Sequence, residues 1–192
     1  MTRIIGGAAG GRRLVTPRGV ATRPTSDRVR EALFSAVEAW CGSLDGLRFL
    51  DLYAGSGAVG LEAWSRGAGV VTFVEHDRRT AALIARNAEA LGAARTNVNP
   101  AAVATALRKT PTAPYDIAFL DPPYPLPDAD VTGALAALVA HEWLVPGALV
   151  VVERSVRGPE LVWPAGLEGE RSKKYGETVL WYGHAAPSAT TL

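Results

Sequence analysis

The amino-acid sequence predicts an α/β fold of the doubly wound type. From Arg48 onward, short apolar segments alternate with segments of helical periodicity, the pattern of a mostly parallel sheet covered by helices. The glycine-rich segment Gly55–Gly60 directly follows the first apolar segment, as a turn from a strand into a helix requires. The chain has 192 residues, of which 48% are hydrophobic, so it can bury the core of one such domain.

The first 45 residues are predicted to form a small extension of a hairpin and a helix. Two extended segments, Arg3–Ile5 and Arg12–Val15, flank a turn of glycine and alanine, which favours a β-hairpin. A helix is expected to follow, capped by Thr25 or Ser26 and ending near Gly42. Its apolar side is predicted to consist of Val29, Leu33, Phe34, Val37 and Trp40.

Residues 46–184 are predicted to form the α/β domain itself. The segments 171–175 and 178–182 flank Gly176-Glu177 and predict an antiparallel pair near its end. The tail 185–192 is rich in alanine, serine and threonine and is expected to be disordered. The other predicted strands are 48–53, 70–75, 95–99, 115–120 and 148–153, and the predicted helices are 58–66, 78–91, 102–109 and 129–141.

The cysteine and histidine content argues against a disulfide and a metal site. Cys41 is the single cysteine, so we expect no internal disulfide, and we assign it to packing because no base adjoins it in sequence. The three histidines are scattered, without the spacing of metal ligands, so no metal site is predicted. No apolar run has the length of a signal peptide or membrane span, so a cytoplasmic protein is expected. The tryptophans assigned to the core or its rim are Trp40, Trp64, Trp143, Trp163 and Trp181.

Positive charge is concentrated at the N-terminal end of a nearly neutral chain. The formal net charge is +1, but residues 1–30 hold seven arginines and one acid and therefore carry +6. The remaining 13 basic and 18 acidic residues give −5. This distribution is typical of a region that docks a polyanion, although a solvated basic arm has the same composition. The candidate phosphate contacts are Arg3, Arg12, Arg13 and Arg23.

The segment Phe49–Gly60 combines a buried strand, a glycine-rich turn and the start of a helix. Its glycines Gly55, Gly57 and Gly60 satisfy the G-x-G-x-x-G pattern, and Glu75 follows about 20 residues after Gly55. Glu75 is therefore predicted to accept the ribose hydroxyls of a cofactor. A nicotinamide dinucleotide fits this pattern, and a glycine turn needed for helix packing alone would also show it.

Asp51 favours a different cofactor. An acid on the strand just before the glycines would repel a pyrophosphate, whereas it would attract a cationic amino-acid group. Asp51, Gly55 and Gly57 are therefore candidate cofactor residues together with Glu75.

The segment Asp116–Tyr124 predicts the chemistry. A buried strand ends in Asp121-Pro-Pro-Tyr, and parallel sheets bind ligands at the carboxyl ends of their strands. The Asp121 carboxylate and the Pro122 carbonyl can each accept one N–H of an aromatic amine, which would turn its lone pair toward an electrophilic methyl group. Tyr124 would stack on an unpaired base. An ordinary Pro-Pro turn with a packed tyrosine is the simpler alternative.

A glycine loop followed by Asp-Pro-Pro-Tyr resembles the class I methyltransferases, which include adenine-N6, cytosine-N4 and guanine-N2 enzymes. The flanking segments Arg3–Gly7, Arg23–Phe34 and Lys174–Thr178 are similar to the bacterial RsmD family, which methylates guanine N2 in 16S ribosomal RNA. The likeness runs from residue 3 to about residue 183.

This resemblance implies a Rossmann-like, seven-stranded sheet with a reversed final strand and a basic hairpin that helps to hold RNA. It implies S-adenosylmethionine as the cofactor, and 16S rRNA in the small ribosomal subunit or its assembly intermediate as the partner. By position, Asp51, Gly55, Gly57 and Glu75 take the family's cofactor roles, and Asp121, Pro122 and Tyr124 take its catalytic roles.

One position departs from the family's pattern, and other functions stay open. Ala101 stands where a polar residue near the cofactor adenine is expected, so the backbone of Ala102 is the candidate contact. A DNA adenine-N6 or cytosine-N4 methyltransferase shares the motifs, but only 68 residues follow Tyr124 to read a DNA site. A protein-amine methyltransferase and a noncatalytic RNA-binding protein on the same fold are further alternatives.

Overall fold

A computed structural model describes residues 2–18 and 26–187 as a seven-stranded sheet, helices and a separate two-stranded hairpin. No helix within these two ranges is long and apolar enough to cross a membrane. The helices are α1 (Asp27–Cys41), α2 (Ala58–Ser65), α3 (Arg78–Leu91), α4 (Val103–Ala106) and α5 (Asp128–Ala140). The strands are β1 (Thr2–Arg3), β2 (Arg13–Leu14), β3 (Arg48–Leu52), β4 (Val70–Val74), β5 (Thr96–Asn99), β6 (Tyr115–Leu120), β7 (Leu144–Ser155), β8 (Leu167–Tyr175) and β9 (Thr178–Ala185).

The sheet confirms the predicted α/β fold. Its strand order is β5-β4-β3-β6-β7-β9-β8, and the pairs from β5 to β7 are all parallel. The final strand β9 is antiparallel both to β7 and to β8, which forms the outer edge. β9 is thus the reversed final strand, inserted between β7 and β8.

Several element boundaries differ from the sequence prediction, among them those of α4, β7 and β9. Helix α4 has four residues where eight were expected, because the chain leaves it in i→i+3 turns before Pro111, which has no amide hydrogen to donate. Strand β7 begins at Leu144 because the Tyr115 amide donates to the Trp143 carbonyl and so starts the pairing early. Strand β9 extends to Ala185, one residue into the predicted tail, while residues 188–192 lie outside the described ranges.

Two apolar layers cover the sheet. The layer beneath α1, α2 and α3 includes Phe34, Phe49 and Leu61, and the layer beneath α4 and α5 includes Leu107 and Leu135. Helix α1 begins after Ser26, whose hydroxyl accepts the Val29 amide at 3.2 Å, which confirms one of the two predicted caps. Trp40 was expected on the buried side, but it is 40% exposed because it lies at the last turn of α1, beside an open groove.

The N-terminal hairpin, residues 2–15, is docked on the helices. Its side chains Ile4, Ala9 and Leu14 are buried in the layer that also contains α1 and α2. The Glu62 carboxylate accepts the amides of Ile5 and Gly6 at 2.8 Å and 2.9 Å. A Cβ on Gly7 would lie 2.0 Å from a backbone oxygen of α2, so the hairpin approaches that helix more closely than other residues allow. The extension is therefore part of the folded core.

Buried charges hold this contact together. Arg30 is fully buried, and its Nε lies 3.3 Å from Glu62 Oε1. Arg66 Nε approaches Glu62 Oε2 at 2.9 Å, and the Arg30 guanidinium donates to the Arg3 carbonyl. Burial lowers the pKa of Arg30, against the opposing effect of Glu62. One of the seven N-terminal arginines is therefore used inside the fold and is not available to an RNA phosphate.

Candidate active site

The carboxyl ends of β4, β3 and β6 bring the predicted site residues together. Strand β3 lies between the other two, with Asp51 paired to Phe73 on β4 and to Phe119 on β6. The loop after β3 therefore emerges between Glu75, which follows β4, and Asp121, which follows β6. This juxtaposition was expected from the sequence, since the carboxyl ends of parallel strands share one edge of a sheet.

The glycine loop, residues 53–57, needs a left-handed backbone at three positions. Tyr53 and Gly55 both have φ of 57°, and Gly57, the N-cap of α2, has φ of 79°. A Cβ on Gly55 would meet no atom within 4 Å, so this part of the loop faces open space that a ligand can occupy. A left-handed tyrosine is uncommon and costs about 1–3 kcal/mol, and such strain clusters at ligand sites.

The third glycine of the pattern has a packing role. A Cβ on Gly60 would lie 2.3 Å from Cε1 of Phe73, so only a hydrogen fits where α2 crosses the sheet. Gly60 also donates its amide to the carboxylate of Asp51 at 2.9 Å. Gly60 therefore joins helix to strand and does not line the open space.

Asp51 lies beneath the glycine loop and is 1% exposed. Burial raises the pKa of this carboxyl well above its usual range, the nearby Glu75 carboxylate raises it further, and the Gly60 amide opposes the shift. The sequence suggested that Asp51 lies beside a bound cofactor. The structure shows its carboxylate against the N-terminal turn of α2, where it supports the loop from below, and its role toward a cofactor stays a prediction.

Glu75 is buried at the end of β4 and points toward the loop. Its Oε1 accepts the Gly55 amide at 3.1 Å and its Oε2 accepts the Asp77 amide at 2.9 Å. His76, which is largely exposed, lies 3.2 Å from Oε2. A carboxylate has about four lone-pair positions, so acceptor capacity is left beyond the two backbone bonds.

The Asp-Pro-Pro-Tyr turn, residues 121–124, leaves β6 beside this loop. The Asp121 amide donates to the Leu52 carbonyl at 3.4 Å, which ties the turn to the end of β3. Asp121 is half-buried, Pro122 is buried and Tyr124 is 46% exposed. The Tyr124 side chain is therefore not packed in the core, contrary to the simpler explanation of a packed tyrosine.

Arg154 is a residue of the site that the sequence prediction missed. It lies at the end of β7, is 9% exposed, and donates from Nη1 to the Pro122 carbonyl at 3.4 Å. Its Nη2 lies 3.2 Å from the carboxylate of Asp128 at the start of α5. Burial and the nearby Asp130 together raise the pKa of Tyr53 to about 12, against the opposing effect of Arg154. The sequence did contain a signal for this residue, because Arg154 directly follows the predicted apolar strand 148–153 and so lies at the carboxyl edge of the sheet.

Ala102 is exposed and follows β5 at the same edge of the sheet. The Glu75 amide donates to the Asn99 carbonyl at 3.2 Å, so the start of this segment is fixed beside Glu75. The Ala102 carbonyl accepts amides of α4, which leaves its backbone N–H as the group that can meet a ligand.

The predicted RNA-binding arginines lie away from these strand ends. Arg3, Arg12 and Arg13 are exposed on the hairpin, over the far ends of α2 and α3. Arg3 lies 3.6 Å from the carboxylate of Asp27, and Arg12 donates to a backbone carbonyl near the end of α3 at 2.9 Å. Arg23 lies outside the described residues. The structure thus separates the arginine-bearing hairpin from the candidate active site.

Comparison with protein families and curated proteins gives consistent matches. The family model described as conserved hypothetical protein 95 matches residues 2–184. The chain is 37% identical over 180 residues to the ribosomal RNA small subunit methyltransferase D of Escherichia coli strain K12, covering 91% of this chain and 85% of that protein. It is 34% identical over 184 residues to the putative rRNA methyltransferase YlbH of Bacillus subtilis strain 168, covering 92% and 95%.

Comparison with solved structures agrees. The putative methyltransferase yhhF from Escherichia coli superposes with a TM-score of 0.84 at 33% sequence identity, over 96% of this chain and 97% of that one. The likeness covers nearly the whole of both chains, so fold and sequence point to the same group of proteins.

Proposed function

This chain belongs to the conserved hypothetical protein 95 family, and on that premise we propose that it methylates the exocyclic N2 amine of a guanine in 16S ribosomal RNA. It is an S-adenosylmethionine-dependent rRNA methyltransferase, like the curated relatives that it matches over most of their length. The choice of guanine N2 rests on the likeness to the small subunit methyltransferase D proteins.

One observation carries the proposal: the glycine loop and the Asp-Pro-Pro-Tyr turn adjoin at one edge of the sheet. The Asp121 amide is bonded to the last residue of β3, and the loop starts directly after that residue. A cofactor held by the loop would therefore lie next to an amine held by the turn, and proximity of this kind lowers a barrier.

The residues present fit S-adenosylmethionine. The open space at Gly55 admits a ligand close to the backbone, and Glu75 has acceptor positions left for ribose hydroxyls. Ala102 offers a backbone N–H to the adenine, and the Asp51 carboxyl lies beneath the part of the loop that would meet a cationic amino acid, whose charge would favour the ionised form of Asp51. When bound, this cofactor supplies a methyl group on a positively charged sulfur. A dinucleotide would gain nothing from Asp51.

The turn would prepare the amine for attack. Asp121 and the Pro122 carbonyl would each accept one N–H and so fix the orientation of the nitrogen and its lone pair. Attack on the methyl group would leave the nitrogen with one proton too many, and the Asp121 carboxylate, already bonded to that N–H, would accept it. Tyr124 stacks on the base that carries the amine, which requires the base to leave its helix or loop.

The small ribosomal subunit or its assembly intermediate is the proposed partner, because two relatives that are 37% and 36% identical are named ribosomal RNA small subunit methyltransferase D. We place the reaction in the cytoplasm. The exposed hairpin arginines Arg3, Arg12 and Arg13 would contact phosphates away from the reacting base, and Arg23 is proposed to join them.

Mass spectrometry of modified nucleosides tests the proposal. Small-subunit rRNA from cells lacking this protein should lack one N2-methylguanosine, and purified protein with S-adenosylmethionine should restore it. Asp121→Ala protein is the matched control and should not. Methylation of DNA adenine or cytosine instead, or an unchanged rRNA nucleoside profile, would contradict the assignment.

A further inference from the structure

A groove opens beside the outer strands of the sheet, away from the candidate active site. It has a volume of about 220 Å³ and lies between the last turn of α1 and the outer strands. Its distance from the active site can be read along β7. Leu149 lines the groove, and Val152, three residues later, pairs with Leu120, the residue just before Asp121. Three residues span about 10 Å of strand, at ~3.3 Å per residue. The residues that define this outer groove are Trp40, Leu149, Glu170, Arg171, Tyr182 and His184.

Accepting that the substrate is RNA, we propose that the outer groove binds an unpaired nucleotide of that RNA at a distance from the methylated base, with Trp40 as its stacking platform.

The exposed ring of Trp40 is the first support. This side chain is 40% exposed and takes no part in either buried apolar cluster, although the sequence predicted it to pack. Its ring centroid lies 6.1 Å from that of His184, at an angle of 33°, so the indole stands at the wall of the groove. An exposed aromatic face of this kind is what proteins offer to a splayed-out RNA base.

The polar groups around the indole suit a base edge. The Cζ atom of Arg171 lies 4.3 Å from the centroid of the Tyr182 ring, and both side chains line the groove. The Tyr182 hydroxyl is buried, and among the described residues it has no hydrogen-bond partner. Burial raises the pKa of Tyr182 to about 12, so the hydroxyl keeps its proton and can donate. Glu170, 2.5 Å from His184 Nε2, adds an acceptor.

Positively charged side chains on the edge strand β8 lie between this groove and the active site. Strand β8 runs parallel to β7, so its later residues approach the edge that carries Asp121. Exposed Lys173 and Lys174 follow Arg171 in that direction, and Lys173 Nζ lies 5.5 Å over the Tyr175 ring. An RNA strand crossing β8 would meet positive side chains between the reacting base and the groove. Lys173 and Lys174, which have no part in the proposed methyl transfer, would then contact RNA phosphates.

Methyl-transfer kinetics on small-subunit rRNA, prepared from cells that lack this protein, test the proposal. Trp40→Ala should raise the KM for RNA about fivefold to a hundredfold, the range for loss of base stacking, with a much smaller change in kcat. Trp40→Phe, which keeps a ring, should recover most of the loss. Arg171→Ala should also raise the KM and should reduce its salt dependence.

The controls separate the possible failures. Arg108→Ala removes an exposed arginine on the opposite helical layer and should change nothing. If the wild type does not methylate rRNA, the proposed function fails. If it does, and Trp40→Ala has the wild-type KM and the same melting temperature, the outer groove assignment is wrong. A shift from dimer to monomer in sedimentation, with an unchanged KM, would identify the groove as a contact between two copies of this chain.

Discussion

Glu75 shows how a single carboxylate can hold a loop and a ligand together. Because it already fixes Gly55 and Asp77, its remaining lone pairs are directed before a cofactor arrives. We expect Glu75→Ala to weaken S-adenosylmethionine binding by about 1.5–3 kcal/mol, the range for hydrogen bonds to a charged group. Isothermal titration calorimetry measures this, with thermal melting to show that the fold is intact. Unchanged affinity in a folded variant would exclude the ribose role.

Asp121 is expected to matter for the reaction more than for cofactor binding. Its carboxylate stands on the turn that would hold the amine, so Asp121→Ala should lower kcat by about two orders of magnitude or more. The cofactor Kd should stay close to that of the wild type, because the glycine loop and Glu75 are untouched. Single-turnover methyl transfer measures the effect, and near-normal turnover would rule out the role.

Arg154 is expected to position the Pro122 carbonyl. Arg154→Ala should lower kcat between about tenfold and a hundredfold, as for a reacting group displaced by about an ångström. Asp128→Asn keeps the Pro122 bond and should cost less. Arg157→Ala, an exposed arginine three residues later, is the control. Steady-state kinetics of methyl transfer measure kcat for each variant. Equal kcat values for the Arg154 and Arg157 variants would contradict this role.

At the scale of elements, the N-terminal hairpin combines a packed face with an exposed basic face. Docking depends on Ile4, Leu14 and the Glu62 carboxylate, whereas the arginine heads are in solvent. This arrangement explains how a charged extension adds to the core without losing its charge for a partner.

Replacing Arg3, Arg12 and Arg13 together by alanine tests the exposed face. If each neutralises one phosphate of a single-stranded region, the slope of log K against log salt should flatten by about 2, at ~0.7 per phosphate. The melting temperature should change little, because exposed ion pairs contribute about 0–1 kcal/mol. Binding to small-subunit rRNA across a salt series measures the slope, with Arg108→Ala/Lys109→Ala as a control. Lost stability with an unchanged slope would make the hairpin a packing element alone.

At the scale of the whole molecule, the buried Asp51 carboxyl makes stability depend on pH. Its pKa in the folded chain is raised above the ordinary value of 3.8, so the folded state holds this proton more tightly than the unfolded state does. The contribution of Asp51 to the free energy of unfolding therefore falls as the pH rises from about 4 through the folded-state pKa. Above that window the charged carboxylate is a cost to the fold.

Asp51→Asn removes this cost, and its amide oxygen can still accept the Gly60 amide. Without cofactor, the variant should be more stable than the wild type at neutral pH, and the difference should shrink as the pH falls toward about 4. Urea denaturation at a series of pH values measures the difference. A constant difference across that series would show that Asp51 does not titrate in this way.

The sequence by itself determined the alternation of strands and helices. It also determined that the candidate site residues lie at the carboxyl ends of the parallel strands. Hydrophobic periodicity is a local property, and parallel strands bring their carboxyl ends together whatever their order. The sequence therefore predicts that the glycine loop, Glu75 and Asp121 lie side by side. Reversal of the last strand followed from the family resemblance, since local pattern does not say which strand of the β8–β9 pair contacts β7.

The tertiary structure alone decided the partners of the buried charged and exposed aromatic residues. Arg30 meets Glu62, 32 positions later in the chain, and Arg154 meets Pro122 across two strands. Periodicity counts Trp40 as apolar, but whether a neighbour covers it depends on where α1 ends over the sheet. Such pairings depend on distance in space, because burial makes an unpaired charge costly and so selects partners from remote segments.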